Sequence, residues 1–113
     1  MAALLSAEEV AITLGELLLA THRASLSLTP RVICADGLVL SIQASRFHYC
    51  SPRNDIGPWS AVEVGYPTKR VEALLPFAEE AEKPTNTVYG YVPIGIVAQV
   101  IAEHCGFAKA EGR

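Results

Sequence analysis

Asp36-Gly37 stands between two apolar runs, residues 31–35 and 38–44, and this arrangement constrains the fold most. Asp-Gly accepts the positive φ angles of a tight reversal, so the pair predicts a β-hairpin with a two-residue turn. In the second run Leu38, Leu40, Ile42 and Ala44 alternate with Val39, Ser41, Gln43 and Ser45. Period two places the first set on a buried face and the second on a more polar one. Residues 60–66 predict a third strand, with Val62, Val64 and Tyr66 on one side. Residues 87–92 predict a fourth, with Tyr89 and Tyr91 sharing a side.

Helical periodicity frames these strands. Ser6 and Glu9 match a capping box, in which each side chain satisfies a free backbone donor of the first turn. Val10, Leu14, Leu17 and Leu18 then form one apolar stripe. Glu8, Glu9 and Glu16 interrupt the apolar start of the chain, and no basic segment precedes it. A soluble helix is therefore expected, rather than a leader or membrane span. Ile12 and Leu19 lie off the stripe. They are either isolated surface residues or a small second apolar face, and the second reading makes them the contact of a possible homodimer.

Further along, Thr68 can cap a short middle helix over residues 71–75, kinked at Pro76 and continuing through residues 77–82. Pro93 suits the first turn of a last helix, whose apolar spacing runs through Val97, Val100 and Ile101 to Gly106, a left-handed cap. The fold class is α+β: an antiparallel sheet of about four strands with an N-terminal, a short kinked middle and a C-terminal helix. At 113 residues one domain is expected, with a helix and connector at 1–29, the core at 30–106 and a frayed tail at 107–113.

Residues 46–59 join two strands but do not have a connector's composition. Three of the chain's eight aromatics, two arginines, a histidine and a cysteine gather there. Ordered loops of this length are usually functional, and disordered segments are poor in aromatics. Arg46, His48, Tyr49, Arg53, Asp55 and Trp59 are the candidate partner-binding residues, because Arg, Tyr and Trp dominate interface hot spots. A second reading folds Phe47, Tyr49 and Trp59 inward to anchor the loop, and Arg53 can pair with Asp55.

Chemistry beyond binding is thinly encoded. Half the residues are apolar and 19% charged, with a net charge of −3, so direct nucleic-acid binding is not expected. The cysteines Cys34, Cys50 and Cys105 are odd in number and widely spaced, unlike a disulfide framework. His48 and Cys50 offer two ligands where zinc needs three or four, so no metal or other cofactor is expected. The same two residues with Arg53 sketch an alternative, a small enzyme or nucleotide-binding protein. No oxyanion group, phosphate loop or H-E-x-x-H accompanies them, and no catalytic residue is assigned.

Several segments together carry a resemblance: Cys34-Ala35-Asp36-Gly37, Ser41-Ile42-Gln43-Ala44-Ser45, His48-Tyr49-Cys50-Ser51-Pro52-Arg53, Gly57-Pro58, Val62-Glu63-Val64-Gly65-Tyr66-Pro67 and Val88-Tyr89-Gly90-Tyr91-Val92-Pro93. In this order they resemble small, mostly uncharacterised proteins of bacteriophages and prophages. The likeness spans residues 32–106 and brings no catalytic residues with it. What it implies is a setting, the bacterial cytoplasm, in which small acidic phage proteins bind and block host machines. Anti-CRISPR proteins are the best-known instance. The expected function is therefore non-enzymatic inhibition of a host defence complex, plausibly a CRISPR effector. A virion accessory protein is a further alternative.

Overall fold

In the computed structural model, which describes residues 6–108, the chain is α+β. Helix α1 (Ala7–Arg23) precedes strands β1 (Val32–Ile33), β2 (Val39–Gln43) and β3 (Ala61–Gly65). A 3-10 helix (Glu72–Phe77), strand β4 (Val88–Pro93) and helix α2 (Ile94–Glu103) follow. The four strands form one sheet in the order β1-β2-β3-β4, each pair antiparallel. The two α-helices pack on each other and share one core with the inward face of the sheet.

The capping box at α1 forms as expected. Glu9 N–H donates to Ser6 Oγ at 3.2 Å, and Ser6 N–H donates to Glu9 Oε1 at 3.1 Å. Val10, Leu14 and Leu18 are buried, and Leu17 packs at the core's edge. Ile12 is 65% exposed, whereas Leu19 is half-buried against the core, so the two do not form an equally free second stripe.

The inward face of β2 and its flanks is the alternating set: Leu38, Leu40, Ile42 and Ala44 are all buried. A slip of one residue would replace three of these large side chains by Val39, Ser41 and Gln43. At about 1.5–3 kcal/mol per buried aliphatic, that is roughly 5–9 kcal/mol, comparable with the whole stability of a small domain. Register is therefore set by burial. The outer face is less open than alternation suggests. The Gln43 amide pairs with the Thr29 backbone, accepting its N–H and donating to its carbonyl, both at 2.9 Å. The connector thus lies across that face.

Four local expectations are corrected. The hairpin loop contains Ala35, Asp36 and Gly37, not two residues: Gly37 N–H donates to Cys34 O, Cys34 N–H to Leu38 O, and Gly37 has φ +103°. A turn closed by a positive-φ glycine is the next commonest hairpin form. Thr68 caps no helix. It bonds β2 at Val39 through both its backbone N–H and its hydroxyl oxygen. The middle helix is a 3-10 segment that stops at Phe77. Ala78 and Glu79 then run along the outer edge of β4, with Glu79 N–H donating to Val88 O. At the other edge Phe107 bridges Cys34 and Ala108 N–H donates to Ile33 O, so the expected frayed tail is pinned this far; residues 109–113 lie outside the described residues.

The fifth correction matters most for the surface. Val62 pairs with Val92 but Val64 pairs with Tyr89, so Glu63 alone opposes Gly90 and Tyr91. This bulge inserts one residue and breaks the period of two. Tyr89 is consequently fully buried, while Tyr91, at φ +52°, turns outward and is 49% exposed. Tyr66 likewise leaves the Val62–Val64 face: the strand ends at Gly65, and Tyr66 sits at φ +50° and half exposed.

Candidate functional site

The loop between β2 and β3 is held by a dense set of its own bonds. Ser51 pairs with Ala61, with Ser51 N–H donating to Ala61 O at 3.0 Å and Ser60 N–H to Ser51 O at 2.8 Å. The Asn54 side-chain oxygen accepts from both Ile56 and Gly57 N–H at 3.0 Å, an Asx turn that reverses the chain. That reversal returns Asp55 to the start of the loop. Its carboxylate accepts Arg46 N–H at 2.9 Å and lies 3.4 Å from Arg46 Nε. Asp55 therefore pairs with Arg46, not with Arg53 as the spacing suggested.

Trp59 fastens the loop from beneath. Its ring is 5% exposed and stacks on His22 of α1 at 5.1 Å, while its indole N–H donates to Asn54 O at 3.1 Å. His22 is oriented in turn by Ala44 O, 2.8 Å from Nε2; a carbonyl only accepts, so Nε2 bears the proton. Trp59, expected among the contact residues, is thus an internal support. Of the three aromatics offered as inward anchors, Trp59 takes that place and Phe47 and Tyr49 do not, being 72% and 44% exposed.

Above this base the loop presents a different set. Tyr49 crosses to the bulge: Tyr91 N–H donates to Tyr49 O at 2.9 Å, and the two rings lie 6.0 Å apart. Tyr49 N–H donates to Glu63 Oε1 at 3.1 Å, which engages one oxygen of that carboxylate. Gly90 eases the crossing, since a Cβ there would lie a tight 3.2 Å from Tyr49 Cβ. The Arg53 guanidinium sits over the Tyr49 ring, 5.4 Å from its centre, and Arg46 lies 4.8 Å from the centre of Phe47. Ile56, at the tip, is 77% exposed.

His48 and Cys50 do not form a nucleophile and base. The His48 ring meets Ser45, with Nδ1 2.7 Å from Oγ. Cys50 is 1% exposed, and its thiol donates to Ser45 O at 3.1 Å. Burial pushes its pKa up, against a smaller downward effect of Arg53, so the reactive thiolate is disfavoured. Among the described residues, no group of three or more His, Cys, Asp and Glu could hold a metal ion. No described helix is long and apolar enough to cross a membrane.

The structure thus brings Arg46, Tyr49, Arg53 and Asp55 together on one ordered loop, leaves His48 half-buried beside them, and sends Trp59 inside. The sequence reading missed Tyr91, which joins the loop's surface only because of the bulge, and Ile56. Asn54-x-x-Gly57 was a legible turn signal. Comparison with protein-family models, with curated proteins and with solved structures found no match.

Proposed function

We propose that this chain is a non-enzymatic binding protein that docks on another protein through the 46–59 loop and Tyr91. One observation carries the reading. The loop is fixed by bonds to the sheet and by the Trp59 stack on α1, yet it leaves Phe47, Ile56, Tyr49 and Arg53 in water. Burying Phe47 or Ile56 would each contribute about 1.5–3 kcal/mol, a gain the loop forgoes by holding both outward. Apolar groups held outward on a rigid support are suited to association, because little ordering cost remains to be met on binding.

The resemblance to phage and prophage proteins directs this reading toward a host machine. On it, the protein is a stoichiometric inhibitor of a bacterial defence complex, with a CRISPR effector as the first candidate. The alternative of thiol chemistry is disfavoured by a buried Cys50 whose hydrogen-bonding partner is a backbone carbonyl.

The test is co-purification of the tagged chain from bacterial lysates with and without a CRISPR effector, followed by a cleavage assay on the purified effector. The expected result is retention of an effector subunit and loss of cleavage that completes at equimolar inhibitor. Full inhibition at a small fraction of equimolar would mean turnover, and retention of no defence component would remove the host-defence reading.

A further inference from the structure

We infer that Arg53 is the polar anchor of this docking face and that its counterpart is a protein surface presenting an aspartate or glutamate carboxylate beside an apolar patch. The inference rests on the binding reading above and specifies the partner's chemistry.

The two loop arginines are in different states. Arg46 is already paired with Asp55, 3.4 Å away, and the Asp55 carboxylate also holds the Arg46 N–H. Arg53 has no ion-pair partner among the described residues. Its guanidinium rests on Tyr49, and Tyr49 leans on Tyr91. Glu63, the other carboxylate at this place, is engaged by Tyr49 N–H. A guanidinium supported on an aromatic ring keeps a planar set of N–H donors available at its edge, the geometry that matches a carboxylate bidentately.

A phosphate would also satisfy such a fork, so the surroundings must decide. Nucleic-acid binding draws on many cations at once, whereas on this loop Arg53 stands without an ion pair beside a paired Arg46, in a chain where Asp and Glu outnumber Lys and Arg twelve to nine. Phe47 and Ile56, 72% and 77% exposed, each follow one member of the Arg46–Asp55 pair in the sequence and offer nothing to a phosphate backbone. They suit an apolar protein patch with a carboxylate at its edge, an arrangement common to protein interfaces.

The experiment uses Arg53→Lys and Arg53→Glu in the full chain. Each variant and the wild type are incubated with bacterial lysate, before and after nuclease treatment. The Arg53→Lys complex is then treated with a zero-length carbodiimide, which condenses an amine with a carboxylate, and the joined peptides are sequenced by mass spectrometry. The inference expects a peptide linking residue 53 to an Asp or Glu of the retained protein. It further expects an affinity loss of about ten- to hundredfold in Arg53→Glu with an unchanged melting temperature. A partner retained equally by wild type and Arg53→Glu overturns the inference but leaves the binding reading intact. Capture abolished by nuclease assigns Arg53 to a phosphate and overturns it. A wild type that retains nothing removes both readings.

Discussion

The indole of Trp59 stacks on the imidazole of His22, ring centres 5.1 Å apart and planes 28° apart, joining the longest loop to the last turn of α1. The loop is therefore part of the core's periphery. Trp59→Ala should cost about 3–5 kcal/mol, since it removes a large buried ring. Trp59→Phe keeps a ring but leaves Asn54 O without its donor, for a loss nearer 1 kcal/mol from the hydrogen bond. Urea unfolding of both, in a double-mutant cycle with His22→Ala, should give a coupling of about 0.5–1.5 kcal/mol. A coupling indistinguishable from zero would mean that the stack is incidental.

Backbone strain separates the glycines and points to one improvement. Gly57 has φ +68°, and an added Cβ would lie 2.8 Å from the Trp59 ring. Gly57→Ala should thus cost more than the roughly 1–2 kcal/mol of the left-handed conformation alone. Gly37→Ala, at φ +103° with no atom within 4 Å, should show the backbone cost only. Conversely, α2 and its cap His104 are followed by Cys105 at φ +71°, where Cys105 N–H bonds Ala102 O and Gly106 N–H bonds Ile101 O. That position favours glycine, and Cys105→Gly should stabilise by about 0.5–1 kcal/mol. Thermal melts of the three variants check the order.

Thiol reactivity should divide the cysteines. Cys34 is buried, and its pKa is pushed up to about 11, chiefly by desolvation and then by Asp36 and Cys105. Cys50 is also buried and shifted upward, while Cys105 is exposed. Iodoacetamide at neutral pH should alkylate Cys105 first in the native protein and all three cysteines in denaturant, as read by peptide mass spectrometry. Faster native modification at Cys50 would restore the case for thiol chemistry there.

An acid-sensitive link ties the hairpin turn to α2. Asp36 accepts Leu38 N–H at 3.2 Å and meets His104 Nδ1 at 2.7 Å. Its pKa is lowered, first by the Leu38 backbone bond and next, among the lowering effects, by His104. A depressed carboxylate pKa stabilises the fold above the unfolded value, about 3.9, and that contribution is lost as pH falls through the folded value. The stability difference between wild type and Asp36→Ala should therefore be larger at neutral pH than at about pH 3. A difference that fails to shrink as pH falls from about 5 to about 3 would contradict the assignment.

Much of the fold was legible because local patterns and tertiary burial agree. The capping box, the β2 alternation and Pro93 before α2 each name their own structure. The failures are non-local. Thr68 has the chemistry of a helix cap, but β2 offers it both a donor and an acceptor at Val39. Phe107 is ordered by Cys34, far away in sequence. Tyr91 and Tyr89 part only because Glu63 opposes two residues, which no pattern within β4 discloses. In the loop, residue types suggested binding, but the Asn54 turn decided which arginine Asp55 would meet.

The most direct test of the docking surface is a paired measurement on Arg53→Ala: affinity for the captured partner by calorimetry, and melting temperature of the free protein. Arg53 makes no ion pair among the described residues and lies on the surface, so the melting temperature should stay within a degree or two, roughly what a surface change allows. Affinity should fall by about 1–3 kcal/mol, the loss of an interface hot spot. Unchanged affinity in Arg53→Ala, and again in Asp55→Ala, would make the 46–59 loop a scaffold and place the binding face elsewhere on the molecule.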